Sequence, residues 1–161
     1  MIKEIELLIE KSLSFMLNDY LLTYKSKDFE NRYSFPLQEP TPFGNGVIED
    51  IYFPQIEELK DDEFFEMGLM WIGENSFGDG LFLSFREKDF GSIYYFEHDN
   101  RCFWKDELFY KMFSNLDEGI VEYLQKRRDG KIPKKEEEYE SFYFVAGSFE
   151  EFLTVIEVLE Y

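Results

Sequence analysis

The spacing of apolar residues predicts a helix at the start of the chain. From Ile2 to Tyr20 they recur every three or four residues, which is typical of the buried face of an amphipathic helix. The following segment, Lys25 to Pro54, contains four prolines and the sequence Gly44-Asn45-Gly46, and both features interrupt regular structure. We predict an irregular connection there, with a short strand at Val47–Tyr52. Because the segment is also rich in Phe, Tyr and Leu, we expect it to wrap the core.

Apolar runs and alternation predict a sheet in the middle of the chain. Met67–Ile72 is almost entirely apolar, as expected of a strand covered on both faces. Gly78-Asp79-Gly80 is a turn signal, and alternate residues of Leu81–Phe85 share one face of the next strand. After the charged segment Arg86–Gly91, strand character resumes at Ile93–Phe96. Three strands joined by short polar turns predict an antiparallel meander.

Helical spacing returns from Asp106 to Asp129, with Gly130 as the predicted stop. The predicted apolar stripe of this helix consists of Leu116, Ile120, Val121 and Leu124. Basic residues accumulate in Lys126–Lys135, and Glu136-Glu137-Glu138 follows directly. Because these charges balance, the segment is predicted to be a solvated loop.

A strand and a helix are predicted near the C-terminal end of the sequence. Phe142–Ala146 is the last strand, and Ser148 followed three residues later by Glu151 matches a capping box. The capping box opens a helix that we expect to continue to about Leu159. With 161 residues, the chain has the length of one domain, which we take as residues 1–161.

Charge limits the classes of partner. The chain has 17 Lys and Arg against 35 Asp and Glu, so its formal net charge is −18. Such a surface repels phosphate and anionic lipid, so we expect neither free nucleic acid nor a membrane as partner, whereas a basic protein is attracted. Solubility alone is the alternative explanation of the acidity. A single cysteine, Cys102, excludes an internal disulfide framework, and the acidic N-terminus does not resemble a signal peptide, so we expect a cytoplasmic protein.

The candidate chemistry lies around the only histidine. His98 precedes Cys102 by four residues and is flanked by Glu97 and Asp99. These residue types could form a cysteine hydrolase site, or they could ligate a metal. Adjacent positions in a strand-to-loop segment define no catalytic geometry, however, and the spacing matches no established ligand pattern. We therefore predict no enzymatic activity and no metal or other cofactor.

Four motifs occur in an order and spacing that are similar to those of one known family. A strand ending in Ile-Gly, a glycine-containing turn with an apolar strand, and a Gly-Xaa-Ile-Tyr strand with a His-Asp end are found at Leu69–Gly73, Gly78–Phe85 and Gly91–Asp99. The segment Ala146–Leu153 has the pattern Ala-Xaa-Ser-Phe-Xaa-Glu-Phe-Leu, and Trp104 also fits. In this combination the chain resembles the SUKH superfamily. The resemblance covers less than half of the chain.

The resemblance implies an α+β fold in which a mostly antiparallel central sheet packs against N-terminal and C-terminal helices. It also implies a role without enzymatic activity. Many bacterial SUKH members look like immunity proteins of polymorphic toxin systems, which bind and neutralise cognate toxins that are often nucleases. Fungal relatives regulate cell-wall assembly through protein contacts. The connection Asp106–Ser141 departs from the family pattern because it is longer.

The expected function is therefore that of an immunity protein which binds a basic toxin domain, with a nuclease as the expected class of toxin. A nuclease is basic where it grips phosphate, and an acidic protein can occupy that surface through charge complementarity. The alternative is a regulatory or scaffolding interaction module without a toxin partner.

We expect the partner to bind an acidic rim near the first central strand. The segment Glu57–Glu63 precedes that strand, and Glu74 and Asp79 flank the turn after it. If sheet and turn lie close together, these carboxylates share one exposed rim, and a tryptophan could anchor its middle. The predicted partner-binding residues are Glu57, Glu58, Asp61, Asp62, Glu63, Glu74, Asp79 and Trp104. The alternative is that they are ordinary solvated charges.

Overall fold

Two antiparallel sheets and several short helices make up the part of the chain that the structure describes. The computed structural model describes residues 32–42, 44–52, 56–59, 61–98 and 118–159. The predicted helix Ile2–Tyr20 lies outside these residues, as do Asp99, Cys102 and Trp104. No helix within the described ranges is long and apolar enough to cross a membrane.

Strands and short helices are interspersed along the described residues. The strands are β1 (Arg32–Phe35), β2 (Gly46–Ile48), β3 (Asp50–Ile51), β4 (Leu69–Glu74), β5 (Gly80–Ser84), β6 (Ile93–Phe96), β7 (Phe142–Ala146) and β8 (Glu157–Leu159). The helices are α1 (Ile56–Leu59), α2 (Glu63–Glu66), α3 (Glu118–Arg128) and α4 (Phe149–Val155), with 3-10 turns at Glu87–Asp89 and Glu137–Tyr139. The predicted α+β class is confirmed.

The larger sheet contains the predicted meander. Its strand order is β3-β4-β5-β6-β7, and every neighbouring pair is antiparallel. The prediction that β4 is covered on both faces is confirmed, because Met70 and Ile72 belong to one buried cluster while Leu69 belongs to another. Burial on both faces explains why this strand lacks the alternation of a half-exposed one.

The smaller sheet, ordered β2-β1-β8, corrects two predictions. β1 lies in the segment that was predicted to be irregular. The last helix ends at Val155 rather than near Leu159, and residues 157–159 form a strand instead. The cause is tertiary pairing: Ser34 of β1 lies opposite Glu157, so β1 provides a hydrogen-bonding edge that the local sequence does not reveal.

The main core consists of apolar side chains from both sheets and from helix α4. Phe35 of β1 packs edge-to-face on Tyr95 of β6 and on Phe152 of α4, at ring-centroid distances of 5.5 and 5.3 Å. Gly46 on β2 allows this arrangement, because a Cβ atom there would stand 2.3 Å from the Phe35 ring. The described residues between positions 32 and 52 therefore contribute to the core, as expected of a connection that wraps it.

An aromatic cluster covers the other face of the larger sheet. Phe64 on α2 lies 5.1 to 6.0 Å, centroid to centroid, from four aromatic rings of the sheet. These rings belong to Trp71, Phe82, Phe96 and Phe142. Asp62 fixes the start of α2, since its carboxylate accepts a hydrogen bond from the Phe64 backbone N–H at 2.9 Å.

The predicted capping box at α4 is confirmed, with one difference. Ser148 Oγ accepts from the Glu151 backbone N–H at 3.0 Å, and the Glu151 carboxylate accepts from the N–H of Gly147 at 2.8 Å. In the standard box this second bond comes from the N–H of the cap residue itself. The shift by one residue still satisfies an N–H group next to the helix start.

The region around α3 is only partly as predicted. Gly130 ends the helix with φ of +69°, as expected. Val121 is not on the buried stripe, because 43% of it is exposed, and Tyr123 and Leu124 are the buried residues of α3. The predicted apolar position Leu116 lies outside the described residues.

The basic segment Lys126–Lys135, which begins in the last turn of α3, is not a uniformly solvated loop. Arg127 donates to both carboxylate oxygens of the buried Glu140, each at 2.8 Å. Lys135 is paired with Glu39 and donates to the carbonyl oxygen of Phe142. These two cations fasten the segment to the folded body, which a charge count along the sequence does not show.

Candidate partner-binding surface

The turn between β4 and β5 is held in one shape by the side chain of Asn75. The amide nitrogen of Asn75 donates to the Val47 carbonyl at 2.8 Å and to the Asp79 carboxylate at 2.9 Å. Its amide oxygen accepts from the backbone N–H groups of Phe77 and Asp79. Gly78 adopts φ of +93°, a conformation that glycine adopts without strain. The turn is therefore rigid without an apolar core of its own.

Asp79 ties this turn to the end of β6. Its carboxylate accepts from the Tyr95 hydroxyl at 2.9 Å and from both Nδ1 and the backbone N–H of His98, at 2.8 and 3.1 Å. Burial raises the pKa of Asp79, but the hydrogen bonds from Asn75, His98 and Tyr95 outweigh it and leave the pKa below its ordinary value. The exposed position expected for Asp79 is wrong, because the residue is only 6% exposed.

The geometry around His98 assigns a tautomer and brings together possible metal ligands. An ionised carboxylate can only accept, so the proton of the His98–Asp79 hydrogen bond is on Nδ1. Asp79, Glu97 and His98 each offer one atom that could ligate a metal ion, and these three atoms lie within 4.8 Å of one another. Asp79 is 19 positions from His98, which is why a search among adjacent residues missed it. Cys102, which the sequence analysis considered as a nucleophile and did not adopt, lies outside the described residues.

Four carboxylates form an acidic rim at the β3 edge of the larger sheet. This rim consists of Glu49, Asp50, Glu58 and Glu74, and it shares only Glu58 and Glu74 with the rim predicted from the sequence. Asp50 and Glu74 lie opposite each other in the β3–β4 pair, and Tyr52 donates a hydrogen bond of 3.4 Å to Glu74. The pKa of Tyr52 is raised by burial and then by the negative charges of Glu74, Glu58 and Asp50. The negative charges of three rim carboxylates therefore act on the Tyr52 hydroxyl.

Glu49 connects the rim to the rigid turn. Its carboxylate accepts from the backbone N–H of Ser76 at 2.8 Å and from the Ser76 hydroxyl at 3.3 Å. It also forms an ion pair with Arg32 at 2.8 Å. The hydrogen bond from the Ser76 N–H is the main cause of the lowered pKa of Glu49, and so the carboxylate is ionised at neutral pH.

The structure does not bring the predicted partner-binding residues together as one group. Glu58 and Glu74 are exposed, and both carboxylates raise the pKa of Tyr52. Glu57, Asp61 and Glu63 are exposed as well. Asp62 is half-buried and caps α2, Asp79 is buried, and Trp104 lies outside the described residues.

Sequence reasoning missed Glu49, Asp50 and Phe77. Glu49 and Asp50 lie inside the short strand predicted at Val47–Tyr52. Two acids in a short strand are typical of a strand at the edge of a sheet, and this was the available signal. Phe77 lies at the tip of the β4–β5 turn and is 63% exposed. Turn residues are usually small or polar, and a phenylalanine there was the available signal.

A groove on another part of the surface has a different charge pattern. It has a volume of about 260 Å³, and its charged lining residues are Glu39, Arg86, Lys88, Asp89, Lys135 and Glu136. Arg86 is paired with Asp89, and Lys135 with Glu39. Three cations balance three anions, so this lining offers no net charge that would attract an ionic ligand. The acidic rim is the stronger candidate.

Comparison with protein-family models, with curated proteins and with solved structures found no match to this chain.

Proposed function

We propose that this chain is a protein-binding module that acts as an immunity protein, binding and neutralising a cognate toxin domain. The observation that supports the proposal best is the acidic rim of Glu49, Asp50, Glu58 and Glu74, which lies beside a rigid turn. The resemblance of the central strands and of the C-terminal motif to the SUKH superfamily supports it independently.

The chemistry of the rim suits a basic protein better than other partners. In a chain with a net charge of −18, a cluster of carboxylates attracts lysine and arginine and repels phosphate and anionic lipid. The surface with which a nuclease grips its substrate carries such cations. We therefore propose a basic nuclease domain as the partner, a cytoplasmic location, and no cofactor, nucleic acid or membrane in the interaction.

Co-expression with a candidate toxin tests this proposal. The chain would be produced together with the basic C-terminal domain of a toxin encoded by the neighbouring gene, and the complex would be purified and assayed for nuclease activity. We expect a stable complex in which cleavage of nucleic acid is suppressed. A complex that still cleaves at the full rate would favour the regulatory or scaffolding alternative, and failure of the two proteins to associate would contradict the proposed function.

A further inference from the structure

An aromatic side chain projects from the rigid turn next to the acidic rim. Phe77 is 63% exposed, which makes it the most exposed of the large apolar residues described in the structure. Single exposed apolar residues are normal on a protein surface and do not by themselves indicate a binding site. Phe77 differs because hydrogen bonds fix the backbone of its turn and because an ion pair lies next to its ring.

The backbone beneath Phe77 is fixed before any partner arrives. Its own N–H donates to the Asn75 side chain at 2.9 Å, and the N–H of Ser76 donates to Glu49 at 2.8 Å. Asn75 is fastened in turn to the carbonyl of Val47, and the turn closes with a bond from the Gly78 N–H to the Asn75 carbonyl. Because this backbone is already ordered, burial of Phe77 in an interface costs the rotamer freedom of the side chain but no further ordering of the loop.

Charges stand around this apolar tip. Glu49 is bonded to the residue directly before Phe77, and the Arg32 guanidinium that pairs with Glu49 lies 6.0 Å from the centre of the Phe77 ring. Glu74 lies three positions earlier, at the end of β4. In interface hot spots an aromatic side chain is surrounded by contacts that contribute little energy but exclude water, and the Arg32–Glu49 ion pair beside Phe77 is suited to that role.

We propose that Phe77 is the anchor of the interface and inserts into an apolar pocket of the basic partner, whose Lys or Arg side chains face the acidic rim rather than the ring beside which Arg32 lies. This inference rests on the proposed function, since the acidic rim selects a basic protein, and it adds the shape and polarity that the partner surface must have. The rim and the anchor then have separate roles. The rim accelerates encounter, whereas the anchor slows dissociation.

Binding kinetics with the basic toxin domain of the neighbouring gene as probe test the inference. Phe77→Ala should raise the dissociation rate constant at least tenfold and leave the association rate constant within about twofold. Each tenfold rise in Kd corresponds to a loss of about 1.4 kcal/mol of binding free energy. Phe90→Ala is the matched control, because Phe90 is also exposed, at 38%, but lies in the connection at the other end of β5. Phe77→Leu should recover part of the loss, because an apolar pocket accepts leucine.

The outcomes separate this inference from the proposed function. If Phe77→Ala dissociates no faster than Phe90→Ala while the wild-type chain binds and inhibits the domain, the anchor is wrong and the proposed function stands. If the wild-type chain does not bind the domain, the proposed function fails and the anchor fails with it. Because Phe77 is exposed, we expect the variant to remain folded, and an unchanged thermal unfolding curve verifies this.

Discussion

Asp79 shows how a buried charge can hold a turn in place. Its carboxylate accepts four hydrogen bonds, one from Asn75, one from Tyr95 and two from His98. Hydrogen bonds to an ionised acceptor are stronger than those between neutral groups, and they offset the cost of burial. The pair of Asp79 and His98 therefore joins the β4–β5 turn to the end of β6, and this structural role accounts for both residues.

The lowered pKa of Asp79 predicts a specific dependence of stability on pH. Because the pKa is lower in the folded state, the stabilisation is fully present above the unfolded pKa of about 4 and is lost as the pH falls through the folded value. Asp79→Asn should reduce the free energy of unfolding by about 1–3 kcal/mol at pH 7, because one of the two carboxylate oxygens becomes an NH2 group, its two donors lose their acceptor and the negative charge is removed. The difference from wild type should shrink below about pH 4.

Chemical denaturation between neutral and acidic pH measures this difference. Asp61→Asn is the control, since Asp61 is exposed and should behave like wild type at each pH. A destabilisation by Asp79→Asn that stays constant down to the lowest pH would contradict the account, because it would show that the charge of Asp79 contributes nothing.

Ser148 gives a second test at the scale of one residue. Ser148→Ala should lower the free energy of unfolding by about 1 kcal/mol, because the Glu151 N–H at the start of α4 loses its acceptor. Ser148→Asp keeps an acceptor and should retain most of the stability. Equal urea midpoints for wild type and Ser148→Ala would show that this cap does not matter.

Among the elements, α2 has an importance out of proportion to its length. This four-residue helix carries Phe64, whose ring contacts four aromatic rings on the outer face of the larger sheet. Aromatic pairs of this geometry contribute beyond the burial of their area. The short helix is thus stabilised by packing rather than by its own hydrogen bonds.

The same substitution at two phenylalanines separates packing from binding. Phe64→Ala should cost about 2–4 kcal/mol of unfolding free energy, because it opens a cavity in the aromatic cluster. Phe77→Ala should change stability by less than about 0.5 kcal/mol, since Phe77 is mostly exposed. Similar unfolding midpoints for the two variants would mean that the cluster under α2 is not a cohesive part of the core.

Local patterns and long-range pairing explain which elements could be predicted. The meander β4-β5-β6 follows from apolar runs and turn signals that lie close together in sequence. β8 could not be predicted, because residues 157–159 are extended only where they meet β1, more than a hundred residues earlier. The meeting of Asp79 with His98 also depends on pairing, since β5 and β6 align Gly80 with Phe96.

For the molecule as a whole, the candidate surface depends on which acids share a face rather than on the total charge. Reversal of Asp61 and Asp62 would be a poor test, because Asp62 caps α2 and its loss would disturb folding. Glu58 and Glu74 are exposed and lie on the rim, so they suit a charge reversal better, and an unchanged thermal unfolding curve of the variant verifies that it stays folded.

The most direct test is the association rate constant of the chain with the basic toxin domain, measured by stopped flow across a salt series. Between about 0.01 M and 1 M ionic strength the Debye length falls from about 30 to about 3 Å, so steering by the rim is progressively screened. Glu58→Lys with Glu74→Lys should slow association about tenfold or more at low salt and flatten its salt dependence. Glu118→Lys with Glu150→Lys makes the same change of charge at exposed positions on α3 and α4 and should have a small effect. If both double variants slow association equally, the net charge rather than the acidic rim attracts the partner, and the central claim is contradicted.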